Sequence, residues 1–322
     1  MIQTRELTKH YGSLAALNRL TIDIGAGEVF GFIGPNGAGK TTTMKILSCL
    51  IKPDRGTASV AGFDIAKDAD QVRRNIGYMP DFLGVYDDLT VDEYLQFFAA
   101  AFGITRKNRT AIIGQVLELT DLIFKRHELV DSLSRGMQQR LGVARVLVHD
   151  PKVLFLDEPA SGLDPRARIE MRSLLQELGK MGKTLLVSSH ILSELAEMCT
   201  SIGIIERGTL LYSGSIQDAY ERTRQRSESG ERIGVTLETS GTSASLIAAR
   251  LASDERIAKA VGDDTARTVV IDIKHIAAGE GGMSHHFIIE SIIAAGGRIA
   301  SFQPEQVRLE DAFLKLTTGA VQ

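Results

Sequence analysis

The sequence predicts an α/β chain in two parts: a core on a parallel-rich sheet that carries a helical insertion, and a small C-terminal α+β module. Three observations carry this. A short apolar run, Val29 to Ile33, breaks at a glycine-rich loop and gives way to Met44, Ile46 and Leu47, which suit the start of a helix. Two further runs of buried-strand character, VLFL at 153–156 and TLLVS at 184–188, alternate with helical patterns and end in polar residues. A charged stretch without periodicity, ERTRQRSESGER at 221–232, then interrupts the chain before strand and helix patterns start again. The first part is expected at 1–220, a linker at 221–232 and the second part at 233–322.

Taken in order, Ile2 to Leu7 and Leu20 to Ile24 alternate like strands ahead of Val29 to Ile33. Tyr11 lies between them, where an aromatic ring could stack on an adenine or simply pack. The loop Gly34-Pro35-Asn36-Gly37-Ala38-Gly39-Lys40-Thr41-Thr42 has P-loop spacing in its required context of strand, turn and helix. Gly34, Gly37 and Gly39 let backbone N–H groups close around a phosphate with no Cβ in the way. A helix starting near Lys40 adds the partial positive charge of its N-terminus. In this motif the lysine reaches the β- and γ-phosphates, and the hydroxyl, here Thr41, ligates Mg²⁺. The expected ligand is a nucleoside triphosphate.

Asp54-Arg55-Gly56 signals a turn before a strand at Thr57 to Val60. Another short strand ends near Met79, and Pro80, Asp81 and Gly84 mark the loop after it. Thr90-x-x-Glu93 has the form of a capping box, so a helix is expected from Val91 through Leu95, Phe97 and Phe98. Residues 91–149 read as mostly helical, with Ile112, Val116, Leu117 and Leu119 on one stripe; the helical subdomain is placed at about 88–150. The strand at 153–156 then runs into paired carboxylates. In P-loop proteins the acid at such a strand end holds Mg²⁺, here Asp157, and a carboxylate beside it, Glu158, can polarise attacking water. A solvated acidic turn is the plainer alternative. Ser161-Gly162-Leu163-Asp164-Pro165 makes a turn into an amphipathic helix through Leu174, Leu175 and Leu178. His190, at the end of the strand 184–188, could donate to a γ-phosphate or be a structural residue. Strand signals recur at Ser201 to Ile205 and Thr209 to Tyr212, and the ligand is expected at the strands' carboxyl ends.

Beyond the linker the pattern is strand (Ile233 to Leu237), helix (Ala244 to Leu251), strand (Thr268 to Ile273), helix (Phe287 to Ala295) and strand (Arg298 to Pro304). An additional strand is marked near Ile257 to Val261, and Leu309 to Leu314 would close with a helix. This order resembles a split βαβ, ferredoxin-like module. His285 and His286, beside a loop at Gly279 to Gly282, have no carboxylate or cysteine spaced to make a metal site with them.

Composition narrows the class. The 322 residues suffice for about two domains, and 43% hydrophobic with 24% charged residues is ordinary for a soluble globular protein. A formal net charge of -3 gives no global basic field, so no nucleic-acid partner is expected. Cys49 and Cys199 read as reduced thiols of a cytosolic protein. The N-terminal MIQTRELTKHYGS lacks a signal-peptide pattern, and no apolar run is long enough to span a bilayer. Work on a membrane would require a separate spanning partner.

With these motifs assembled, residues 1–220 resemble the ATP-binding subunit of an ABC transporter. Tyr11 matches the family's adenine-stacking aromatic, Gly34 to Thr42 its P-loop, and Val153 to Pro159 its Mg²⁺ and catalytic-glutamate strand. Ser161 to Asp164 matches the loop that contacts the opposite subunit, and His190 the switch histidine. Leu133-Ser134-Arg135-Gly136-Met137 stands at the signature motif, which typically reads LSGGQ; Ser134 and Gly136 are its retained members, Arg135 and Met137 its departures. Asp81 replaces the family's usual glutamine at a loop that contacts Mg²⁺ or water and communicates with the membrane subunit. The resemblance implies the fold of an ABC-type ATPase, with ATP and Mg²⁺ as cofactors. It implies two subunits sandwiching two ATP molecules head to tail, a homodimer in the simplest case. A transmembrane permease would be the partner, with this chain on the cytoplasmic face of the membrane and export as the direction. A soluble ATPase acting on ribosomes or nucleic acid, or a nucleotide-sensing regulator, is the alternative.

Overall fold

The structure, a computed structural model, describes residues 1–82, 84, 88–219, 229–274 and 285–305. The chain divides into two compact units between Ile216 and Gln217. No helix of the described residues is long and apolar enough to cross a membrane.

The first unit holds two sheets. One is antiparallel, with strands β1 (Ile2–Tyr11), β2 (Leu14–Leu20), β3 (Asp23–Ile24), β5 (Arg55–Val60) and β6 (Phe63–Asp64). They run in the order β2-β1-β5-β6, with β3 paired to β1. The single strand expected over Leu20 to Ile24 is broken, because a side chain replaces the ladder there. The Thr4 hydroxyl donates to the Leu20 carbonyl at 3.0 Å and accepts from the Ile22 N–H at 2.9 Å. The other sheet contains β4 (Val29–Ile33), β7 (Ile76–Met79), β8 (Val153–Leu156), β9 (Thr184–Ser189), β10 (Ser201–Glu206) and β11 (Thr209–Ser215). Its order is β11-β10-β4-β9-β8-β7, parallel except at β11. Every residue of β4, β8 and β9 is buried, as continuous apolar strands require when both faces are covered. Helix α1 (Lys40–Leu47) sends Met44, Ile46 and Leu47 into a core shared with Leu7, Leu20 and Val60 of one sheet and Phe30, Phe32 and Phe155 of the other.

Helix α2 (Ala69–Asn75) was not foreseen, since its only buried residue is Val72 and no apolar stripe marks it. The helical subdomain holds α3 (Val91–Ala101), α4 (Arg106–Leu119) and α5 (Arg135–Leu147). The capping box forms as expected: Thr90 Oγ1 accepts from the Glu93 N–H, and Glu93 Oε2 accepts from the Thr90 N–H. On α4 the buried stripe is Ile113, Val116 and Leu117, one position from the anticipated Ile112, which is half-buried. Helices α6 (Pro165–Lys180) and α7 (Leu192–Ala196) complete the unit. Two links join α5 to α6. A Cβ on Gly136 would stand 2.8 Å from that of Ala167, and the buried Arg140 reaches Glu170 at 3.5 Å and Asp121 at 3.0 Å.

The second unit has four strands and two helices in the order β12 (Ser229–Leu237), α8 (Ala244–Leu251), β13 (Ile257–Asp263), β14 (Thr268–Lys274), α9 (His286–Ala294) and β15 (Ile299–Glu305). The sheet order is β13-β14-β12-β15, with every neighbouring pair antiparallel. Strands β12 and β13 therefore run the same way with β14 between them. The core is Ile233, Val235, Ile247, Leu251, Ile271, Ile288 and Ile292, the inward half of each alternating strand and helix stripe. Strand β12 begins at Ser229, inside the segment expected as linker. Arg232 lies opposite Asp272 of β14 and Glu305 of β15 in the backbone register, and its guanidinium is 2.6 Å from the Asp272 carboxylate. His285 precedes α9, its ring 6.2 Å from that of Phe302. The helix expected at 309–314 and the loop at 279–282 lie outside the described residues.

Candidate active site

The site grows from the end of β4. Gly34 crosses under β10 so closely that a Cβ there would meet the Ile205 carbonyl at 2.3 Å. At Gly39, φ is 110° and a Cβ would lie 2.6 Å from the Ala16 carbonyl. Both positions exclude any side chain. Gly39 is also the N-cap of α1 and offers no side-chain acceptor, so the first-turn N–H groups are left to a ligand. Lys40 is buried, with its ammonium donating to the Gly34 carbonyl at 2.6 Å and the Pro35 carbonyl at 3.3 Å. The same ammonium lies 3.3 Å from Glu158 Oε1 as an ion pair.

The end of β8 faces this loop. Asp157 is 1% exposed, and its two oxygens accept from Thr41 Oγ1 and Ser188 Oγ, each at 2.6 Å. Ser188 also accepts from the Glu158 N–H at 2.9 Å, so one hydroxyl on β9 orients both carboxylate residues. Glu158 has φ of 51°, a left-handed conformation uncommon outside glycine, which turns the chain sharply after β8. Its second oxygen, Oε2, is 2.9 Å from His190 Nδ1. Ser188 is not among the expected site residues, since its only sequence signal is a polar residue late in an apolar strand.

A groove of about 310 Å³ opens over the loop, lined by Tyr11, Leu14, Ala16, residues 35–42, Asp81 and Glu158. Tyr11 is half exposed, with the Lys9 ammonium 5.8 Å from its ring centre. Partial burial in the groove wall, with repulsion from Asp157 and Glu158, holds the Asp81 carboxyl above the usual carboxylate range; Arg135 and His190 oppose this. Nearby, burial and the charges of Asp157 and Asp81 push the Tyr78 phenol up to about 12. Ser134, Gly136 and Asp164 do not line the groove among the described residues. Ser134 Oγ caps α5, accepting from the Met137 N–H at 3.3 Å, and Asp164 caps α6, accepting from the Ala167 N–H at 3.0 Å. Gly136 is buried against Ala167.

The donor set fits a polyphosphate with a hard divalent cation. Main-chain N–H groups at a helix start and a buried lysine suit phosphate oxygens, while a hydroxyl and a carboxylate are the all-oxygen ligands Mg²⁺ takes. Sheet order, loop and paired carboxylates define the class as P-loop nucleotide hydrolases of the ATP-binding-cassette kind. A family model described as ABC transporter matches residues 17–161. The bacitracin transport ATP-binding protein BcrA of Bacillus licheniformis is 42% identical over 226 residues, covering 70% of this chain and 73% of that one. The linearmycin resistance ATP-binding protein LnrL of Bacillus subtilis is 30% identical over 322 residues and 98% of each chain. A solved dimeric bacterial ABC transporter cassette superposes with a TM-score of 0.61 at 26% identity, over 67% of this chain and 99% of that chain. The chain belongs to the ATP-binding proteins of ABC transporters. It is an ATP-hydrolysing enzyme whose cofactors are ATP and Mg²⁺.

Proposed function

We propose that the chain is the ATPase subunit of an exporter, acting as a head-to-tail homodimer on a separate transmembrane permease from the cytoplasmic face of the membrane. The observation that carries the ATPase half is Glu158 at the groove, held by Lys40 on one oxygen and His190 on the other, with Thr41 and Asp157 joined beside it. Export is supported by likeness along the full length to a resistance protein. Residues 34–42 hold the phosphates, Lys40 by its charge and the loop by its N–H groups, and Tyr11 stacks on the base. Thr41 and Asp157, with Asp81 lining the same groove, would hold Mg²⁺, which would supply the charge that stabilises the phosphoryl oxygens. Glu158 accepts the proton of the attacking water, and His190 fixes the carboxylate that does so. Ser134, Gly136 and Asp164, lying outside their own groove, serve the groove of the second copy.

Two substitutions separate the roles. Glu158→Gln should retain ATP binding while turnover falls at least about a hundredfold, within the usual contribution of a general base. Lys40→Ala should lose ATP affinity. Hydrolysis at the parental rate by Glu158→Gln removes the assigned base, and undiminished binding by Lys40→Ala removes the loop assignment. Purified in detergent with ATP, tagged Glu158→Gln protein should carry a polypeptide with several apolar spans. Recovery of ribosomes or DNA instead overturns the transport reading and leaves the ATPase site standing.

A further inference from the structure

His190 is the middle residue of a turn whose shape a buried hydroxyl sets. Ser189, 4% exposed at the end of β9, accepts from the Ile191 N–H at 3.0 Å. A hydroxyl used this way closes an ST turn, and its proton is free to rotate unless a second group accepts it. Glu194 of α7 is that group, since Ser189 Oγ donates to Glu194 Oε2 at 3.2 Å. With the proton committed to Glu194, the lone pairs of the hydroxyl are left to the Ile191 N–H. The other carboxylate oxygen, Oε1, is buried without a hydrogen bond among the described residues and lies 3.5 Å from Arg168 Nε on α6. Just past the end of α7 the chain is fastened to α6 again, where the Glu197 carbonyl accepts from Gln176 Nε2 at 2.9 Å. The turn braced in this way puts His190 Nδ1 at 2.9 Å from Glu158 Oε2.

We propose that Glu194 is a positioning residue for hydrolysis: braced on α6, it fixes the Ser189 hydroxyl and with it the turn that sets His190 against Glu158. The buried hydroxyl carries the effect. Arg168 is 43% exposed, so its pair with Glu194 is screened and secondary. The link rests on the reading of His190 as the residue that fixes the Glu158 carboxylate. Neither Ser189 nor Glu194 lines the groove, so loss of the link falls on kcat and leaves KM for MgATP largely intact.

The test is steady-state MgATP hydrolysis by variants of the full-length chain. Glu194→Ala should lower kcat about tenfold, below the roughly hundredfold cost of a misplaced reacting group, with KM changed less than about twofold. Ser189→Ala should match that loss, and it takes the place of Glu194→Ala if that variant does not fold. Glu194→Gln, which keeps an acceptor for the Ser189 hydroxyl, should recover most of the loss. In a His190→Ala background Glu194→Ala should add less than about twofold, because the residue it positions is gone. Parental kcat in Glu194→Ala overturns the link, as does Glu194→Gln no better than Glu194→Ala, or an equal loss in both backgrounds. His190→Ala run alone keeps the cases apart: full turnover there defeats the reading of His190, whereas equal losses at Glu194 defeat only the link.

Discussion

Ser188 shows what a single residue does when its neighbours come from another strand. Its hydroxyl holds Asp157 and the Glu158 N–H together, a role fixed by the parallel pairing of β8 with β9 and invisible in the local string TLLVSS. The P-loop residues were legible because their chemistry is written in consecutive positions; Ser188 was not, because its partners lie about thirty positions away. His149 was likewise silent in the sequence. Its ring stacks on Phe102 at 3.7 Å, and Nε2 is 2.8 Å from the Ile76 carbonyl, which fixes the proton on that nitrogen. Nδ1 is buried without a partner among the described residues, so a second proton would be stranded there. Burial lowers its pKa from 6.5, opposed by the Ile76 bond. The unfolded chain therefore takes up a proton that the native state resists. This lowers stability as pH falls from 6.5 to the depressed native value. Urea midpoints of the parent should fall across that range more steeply than those of His149→Gln, which keeps a donor but cannot titrate. Parallel slopes would remove His149 as the cause.

Among elements, those with a strong local signature were readable and those held by distant groups were not. The capping box of α3 was foreseen from Thr90 and Glu93 and forms. The break between β2 and β3 depends on Thr4, some eighteen positions from the bonds it replaces, and no local pattern announces it. Helix α2 has one buried residue and no stripe, so periodicity passes over it. The cap gives a measurable expectation. Thr90→Ala removes the acceptor for the Glu93 N–H and should cost about 1 kcal/mol by urea unfolding, while Thr90→Ser should recover most of it. A loss shared equally by both variants would point to packing of the methyl group instead.

Across the whole molecule, the two units each own a core, one centred on Phe30, Phe32 and Phe155 and the other on Ile233, Ile271 and Ile288. Their separation was legible from the charged run at 221–232, although strand pairing starts inside it at Ser229. Separate cores predict departure from two-state melting, with a calorimetric enthalpy unlike the van't Hoff value. One coincident transition by all probes would show the two cores melting as one. Within the first unit, the two links between α5 and α6 have a mechanical meaning. Gly136 against Ala167 and Arg140 on Glu170 fasten the same pair of helices at two points, about one helical turn apart along each. Two fastenings remove the sliding and the pivoting that one would leave. Braced at both points, the pair should move as one, so that displacement of the turn at 161–164, which leads into α6, carries α5 of the helical subdomain with it.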